Sequence, residues 1–127
     1  MKFIASAAEL AALLNTATAP QACSCSLGTC AGWEGLSEER WPTTHVQPVG
    51  SLRDLDITEP TFEERHPDGT RYESPTAPVA VKFFPYNRCD IWRCTQCQRH
   101  LMRYTEYGGY YVDHRVRTLT MDLVLLD

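Results

Sequence analysis

No stretch of this 127-residue chain approaches the roughly 20 consecutive apolar residues that a membrane-crossing helix needs, so a membrane role would have to be peripheral, and nothing points to one. The short motifs that announce common chemistries are missing too: there is no glycine-rich phosphate loop, no G-x-S-x-G and no H-E-x-x-H. Those absences set aside the readily recognised phosphate-binding, hydrolase and metalloprotease classes. They turn the reading toward a protein that binds rather than catalyses. No internal repeat is evident either, and 127 residues make one domain, 1–127, with room for a modest core that a metal staple would strengthen.

What is present begins with composition. At 43% hydrophobic and 22% charged, the chain is an ordinary globular protein. Its start, with Lys2, Phe3-Ile4-Ala5, the apolar run from Ala7 to Leu14 and then Ala17-Thr18-Ala19, imitates a secretory signal. Glu9 spoils the imitation by placing a charge in the apolar region. Ser6-Ala7-Ala8-Glu9 reads instead as a capping box, opening a short amphipathic helix over 6–15 with Leu10, Leu13 and Leu14 on its buried face. The expectation is a cytoplasmic protein. There the 6 cysteines serve as metal ligands or thiols rather than as disulfides.

The most informative feature is Cys94-Thr95-Gln96-Cys97, a C-x-x-C set between two stretches that read as strands. Such a knuckle turns two thiolates toward one point, and a tetrahedral Zn2+ site needs two more ligands. A local completion would use Cys89 and His100, but that spacing is cramped. A distant completion uses Cys25 and Cys30, pinning an irregular Cys-, Ser- and Gly-bearing loop, 16–32, onto the sheet. The expected structural zinc set is therefore Cys25, Cys30, Cys94 and Cys97, with Cys23 able to replace Cys25 and Cys89 left as a buried thiol. A redox pair fits less well, because a thioredoxin-like motif opens a helix after a strand.

Elsewhere the pattern is coarse. Ser37-Glu38-Glu39-Arg40 resembles a helix start cut short by Trp41-Pro42, and Val49 to Leu55 is the ordered piece of a Pro-, Thr- and Asp-rich stretch. His66-Pro67-Asp68-Gly69 marks a hairpin or exposed loop, and Val79 to Phe84 reads as a strand ended by Pro85. Residues 100–107 and 110–117 form a hairpin across Gly108-Gly109, which would set Thr105 against Val112, Arg103 against His114 and Leu101 against Val116. Both of its faces mix apolar and charged groups, so the sequence leaves the core face open. The fold class is α+β: an N-terminal helix packed on an antiparallel sheet with a zinc-knuckle β-hairpin.

Charge is uneven. Residues 34–73 hold ten acidic side chains against four arginines, a balance of −6, whereas residues 82–117 hold seven basic against three acidic, or +4, within a net −4. An acidic stretch suits a basic partner. The basic part, with Trp92, Tyr104, Tyr107, Tyr110 and Tyr111 among its arginines, permits a zinc-knuckle nucleic-acid-binding or regulatory module as the alternative. The net acidity weakens the long-range attraction that phosphate binding relies on. No catalytic residue is assigned, since Asp113 and Arg115 neighbour His114 in a strand and point to the other face, and thiolates in a closed zinc site are occupied.

The tract Phe84-Pro85-Tyr86-Asn87-Arg88-Cys89 through Trp92-Arg93-Cys94-Thr95-Gln96-Cys97, then 103–117, and the earlier Cys23-Ser24-Cys25 to Cys30-Ala31-Gly32-Trp33 resemble a group of small proteobacterial proteins. These in turn resemble immunity proteins encoded beside polymorphic or contact-dependent-inhibition toxins. The resemblance implies a cytosolic inhibitor that binds a cognate toxin domain in a heteromeric complex and blocks its active site; the acidic charge and the absence of catalytic motifs suit neutralising a basic, nuclease-type toxin. The resemblance carries over no inhibitory residue by position. Charge nominates the contacts: Asp54, Asp56, Glu59, Glu63 and Glu64.

Overall fold

The structure, a computed structural model, describes residues 2–15, 30, 32–96, 98–107, 110 and 112–125. Its centre is a three-strand meander of β3 (Asp90–Cys94), β4 (His100–Tyr107) and β5 (Val112–Leu119), rich in the β-branched and aromatic residues that fit a pleated surface. β2 (Val46–Ser51) adds to β3 and the two-residue β1 (Glu34–Gly35) to β5, giving one antiparallel sheet in the order β1-β5-β4-β3-β2. Helix α1 (Ala7–Asn15) packs against one face.

Helix α1 starts where the sequence says it should. Ser6 Oγ accepts the Glu9 amide at 3.2 Å, while the Glu9 carboxylate reaches back to the Ala5 amide at 2.7 Å, so two amides with no partner inside the helix are satisfied. Ala7, Leu10 and Leu14 are buried and Leu13 packs partly, as an apolar stripe of period 3.6 requires. The chain before the helix runs beside the end of β2: Ile4 donates to the Ser51 carbonyl and Ser51 to that of Lys2, both at 2.8 Å. Gly50 permits this approach, because a Cβ there would lie 2.5 Å from Ile4 Cδ1. The sheet's outer edge is thereby covered at Ser51 rather than left to pair with another chain.

Strand alternation sorts the meander into two faces. Ile91, Met102, Tyr104, Arg117 and Leu119 face α1 and the segment Val79–Val81, with Tyr86 and Cys89 alongside. Trp92, Cys94, Leu101 and Val116 face the other way, where Cys30, Leu36, Trp41 and Val46 cover them. Two separate clusters flank one sheet. That explains why neither hairpin face reads as plainly apolar or polar.

Several expectations are corrected. The β4–β5 pairing runs Tyr107 to Val112, so Thr105 meets His114, Arg103 meets Val116 and Leu101 meets Thr118, a shift of two residues that keeps every side chain on its expected face. Four residues, 108–111, connect the strands, which is why a two-residue turn predicts the wrong partners. Val79 to Phe84 is not a strand. Val79 makes a single bridge to Val124 and the chain then turns, because Val79, Ala80 and Val81 are all buried as an irregular filler beneath the helix. Ser37 to Arg40 forms a turn and no helix. The His66–Gly69 turn closes with Gly69 donating to the His66 carbonyl at 3.0 Å and Gly69 at φ +79, yet no strands flank it, so it is a loop and not a hairpin. No helix of the described residues is long and apolar enough to cross a membrane.

Candidate functional site

Two places on the second face carry chemistry. The first is the cysteine corner. Cys94 ends β3, and its turn closes with Cys94 donating to the Arg99 carbonyl at 2.8 Å and Gln98 donating to the Cys94 carbonyl at 2.9 Å. Gln98 takes a positive φ of 64°, a conformation that costs a non-glycine residue about 1 kcal/mol and bends the backbone tightly around the C-x-x-C. Cys30 also has a positive φ, 44°, and its carbonyl accepts the Thr118 amide on the free edge of β5 at 2.8 Å. Cys30 and Cys94 are both fully buried in the same cluster. Burial first, then the neighbouring Glu34 carboxylate, pushes the Cys30 thiol up to about 11.

Cys23, Cys25 and Cys97 lie outside the described residues, and among the described residues no three His, Cys, Asp or Glu side chains gather as a metal site. The local ligand set is disfavoured by alternation: His100 pairs with Arg93 and lies, like Cys89, on the opposite face from Cys94. Cys89 is fully buried in the helix-side cluster, where its thiol donates to the Pro85 carbonyl at 3.3 Å and burial raises its pKa. It is a core thiol.

The second place is a cleft of about 590 Å³ next to the same face. Its floor is built by β3 and β4, from Asp90, Trp92, Arg103 and Thr105, and one wall by the irregular segment after β2, from Arg53 to Pro60, with Arg88 and Asn87 at the end. The wall is fixed by Arg53, which grips Asp90 with Nε at 3.0 Å and Nη2 at 3.3 Å, and by Arg88, whose Nη2 donates to the Pro60 carbonyl at 3.0 Å. Leu55, Ile57 and Tyr107 stand exposed around the opening, Leu55 at 87%. Beside the floor, His114 Nδ1 meets Thr105 Oγ1 at 3.0 Å and Nε2 meets Glu38 at 2.9 Å, while Arg103 donates to the same carboxylate at 3.2 Å. Glu38 thus clasps the Trp41 turn onto both strands, and Arg103 stacks over Trp41 at 4.4 Å. Asp113 faces away and pairs with Arg115 at 3.0 Å, so it does not orient His114.

The five acidic residues nominated as contacts share one irregular segment. Asp56, Glu59, Glu63 and Glu64 are exposed, Asp54 is half-buried and accepts the Asp56 amide at 3.0 Å, and Glu64 also pairs with His66 at 2.9 Å. Among them stand Leu55, Ile57 and Phe62, exposed at 87%, 51% and 75%. Sequence reasoning passed over these three. Their signal was their isolation: apolar residues in a Pro- and acid-rich run have no periodic face to bury. The basic tract, by contrast, is half-buried for the most part. Arg103 and Arg115 are paired with carboxylates, and Arg117 is fully buried. Comparison with protein-family models, curated proteins and solved structures gives no match.

Proposed function

We propose that this chain is a binding protein of the immunity type, which neutralises a basic, nuclease-like toxin domain through the segment from Asp54 to Glu64. The observation that carries the reading is the company those carboxylates keep: they share with exposed Leu55, Ile57 and Phe62 one segment free of regular structure. Exposed apolar residues interspersed with carboxylates supply the two parts of a specific interface, contact that can be desolvated and charge that can steer. A protein partner suits this surface better than nucleic acid, because the segment is rich in carboxylates and the net charge is −4, which weakens attraction to phosphate. We further infer that Zn2+ is held by Cys25, Cys30, Cys94 and Cys97. What supports this set is that Cys30 and Cys94 share one buried cluster; four thiolates would leave zinc no open position, which would make the metal a staple rather than a catalyst.

The test is co-expression with the product of the adjoining reading frame, followed by native mass spectrometry. A 1:1 heteromer with a zinc-sized increment on this chain supports the reading. A zinc-free monomer that instead elutes from a nucleic-acid column in a salt-dependent way would favour the nucleic-acid-binding alternative.

A further inference from the structure

The cleft offers a second kind of recognition, independent of any protein partner. Three arginines border it, and their charges are balanced differently. Arg53 is neutralised by Asp90 inside the cleft, and Arg103 by Glu38 beside it. Arg88 has no such partner: its contacts are the Pro60 carbonyl and the rings of Phe62 at 4.2 Å and Phe84 at 5.4 Å, and no carboxylate among the described residues pairs with it. A half-buried guanidinium without a counter-charge is costly, and an anion brought into the cleft removes that cost.

Further buried polar atoms without partners belong to the same residues. Arg88 Nε, Arg103 Nε and Trp92 Nε1 are donors with no acceptor, and Asn87 Oδ1 is an acceptor with no donor, although Asn87 Nδ2 is used by the Thr61 carbonyl at 3.0 Å. All four atoms are buried beneath the cleft lining, and others of the kind, such as Trp33 Nε1 and Arg117 Nε, lie away from it, so the pull on an occupant comes from the charge of Arg88. The floor lies on two paired strands and the wall is pinned by the Arg53–Asp90 fork, so the arrangement is preorganised rather than assembled on contact. A volume of about 590 Å³ suits a small molecule, and Trp92, Leu55 and Ile57 supply apolar surface beside the charge.

We propose that the cleft between the segment Arg53–Pro60 and the β3–β4 floor binds a small organic anion, a carboxylate or phosphate monoester attached to an apolar body, with Arg88 on the anionic group and Trp92 beside the body. Asp54 borders the same cleft and opposes the ligand's charge. The two residues therefore have opposite signs. Removing the charge of Arg88 weakens binding, and removing that of Asp54 strengthens it.

The experiment titrates the isolated chain with benzoate and with phenyl phosphate in an anion-poor buffer, following the Trp92 indole N–H by NMR, with sodium chloride at equal ionic strength as the control. Saturable shifts are expected, with Arg88→Gln weakening the dissociation constant about tenfold, the size of one charge-assisted hydrogen bond, and Asp54→Asn tightening it about threefold. Which probe binds more tightly assigns the carboxylate or the phosphate class. Shifts that grow linearly without saturation, or that match those of chloride, overturn the proposal, as does an Asp54→Asn protein that binds either probe more weakly. Asp54→Asn keeps the test decisive should Arg88→Gln fail to fold. Because no protein partner takes part, failure here leaves the immunity reading where it stands.

Discussion

The two faces of the sheet are finished in opposite ways. The helix-side face is closed by the chain's own apolar residues: Ile4, Ala7, Leu10, Leu14, Val79 and Val81 lie over Ile91, Met102 and Leu119, and the cluster contains thirteen buried residues. Its buried Arg117 is held from within by both Nη groups, which donate to Tyr86 Oη and to the carbonyls of Pro75 and Ala77, at 3.1 and 2.7 Å, while Nε has no acceptor. The far face has seven buried residues, two of them cysteines, and closes only at one end; at the other it opens into the arginine-lined cleft. The same alternating strands supply both faces, so the difference lies in the cover. Where apolar chain is plentiful the protein seals itself, and where the cover is a short run from Cys30 to Val46, the Glu38 ion pairs and the proposed zinc would supply the rest.

The largest expected effect tests that last step. If zinc ties Cys30 and Cys94 to the cysteines outside the described residues, a strong chelator or Cys30→Ser should cost at least about 4 kcal/mol, since a structural metal's binding energy is folding energy. The loss should be read first at the far face, as a change in the fluorescence of the edge-to-face pair Trp41 and Trp92, whose centroids lie 5.3 Å apart. A protein that contains no zinc as purified from zinc-supplemented cells, and melts unchanged with chelator, would show that the far face closes by packing alone.

Next comes the helix-side face. Arg117→Ala should destabilise the protein by about 3 kcal/mol, because it leaves a cavity and strands two carbonyls and a hydroxyl that the guanidinium satisfied. Arg117→Met should recover part of this by refilling the volume while leaving the same acceptors unpaired. Equal losses for the two variants in urea denaturation would mean that hydrogen bonding dominates, and a harmless Met variant would mean that packing does. Neither variant should disturb anion binding in the cleft, which lies on the other side of the sheet.

Smaller still is the effect of surface charge. Replacing Asp56 and Glu59 with lysine should slow association with a basic partner about tenfold at low salt while leaving dissociation nearly unchanged, the signature of steering by exposed charge. An unchanged on-rate at low ionic strength removes the acidic segment from the interface. Stability should move little, because both side chains are exposed.

The sequence's legibility follows the same division. Local signals survived: the Ser6–Glu9 cap, the stripe of Leu10 and Leu14, and the faces of the β4–β5 hairpin were readable because short-range geometry determines them. Relations that depend on what packs against what were not. Val79–Val81 looks like a strand by composition and is core filler by position, and the hairpin register slipped by two because the connection is four residues long. The cleft was invisible. Trp92, Arg103, Arg88 and Leu55 are spread across 49 positions, and only folding brings them together. Exposed Leu55 and Phe62 are the exception, since an apolar residue without a periodic neighbour stands out in the amino-acid pattern alone.

The smallest effect concerns a titrating group between the two regions. His100 is buried in β4 opposite Arg93, and burial first, with the arginine's charge second, lowers its pKa below the usual 6.5. The unfolded chain therefore binds a proton at a pH where the folded chain still refuses it, so stability is full above pH 6.5 and declines as pH falls from there through the lowered value. His100→Gln should flatten that slope without altering stability at neutral pH by more than about 1 kcal/mol, provided glutamine finds a comparable hydrogen bond. Arg93→Gln gives the complementary arm. It removes only the repulsive part, shifting the decline to higher stability at acid pH without abolishing it. If both variants leave the acid limb of the pH–stability curve unchanged, His100 does not set that slope and its burial opposite Arg93 carries no pH dependence of stability.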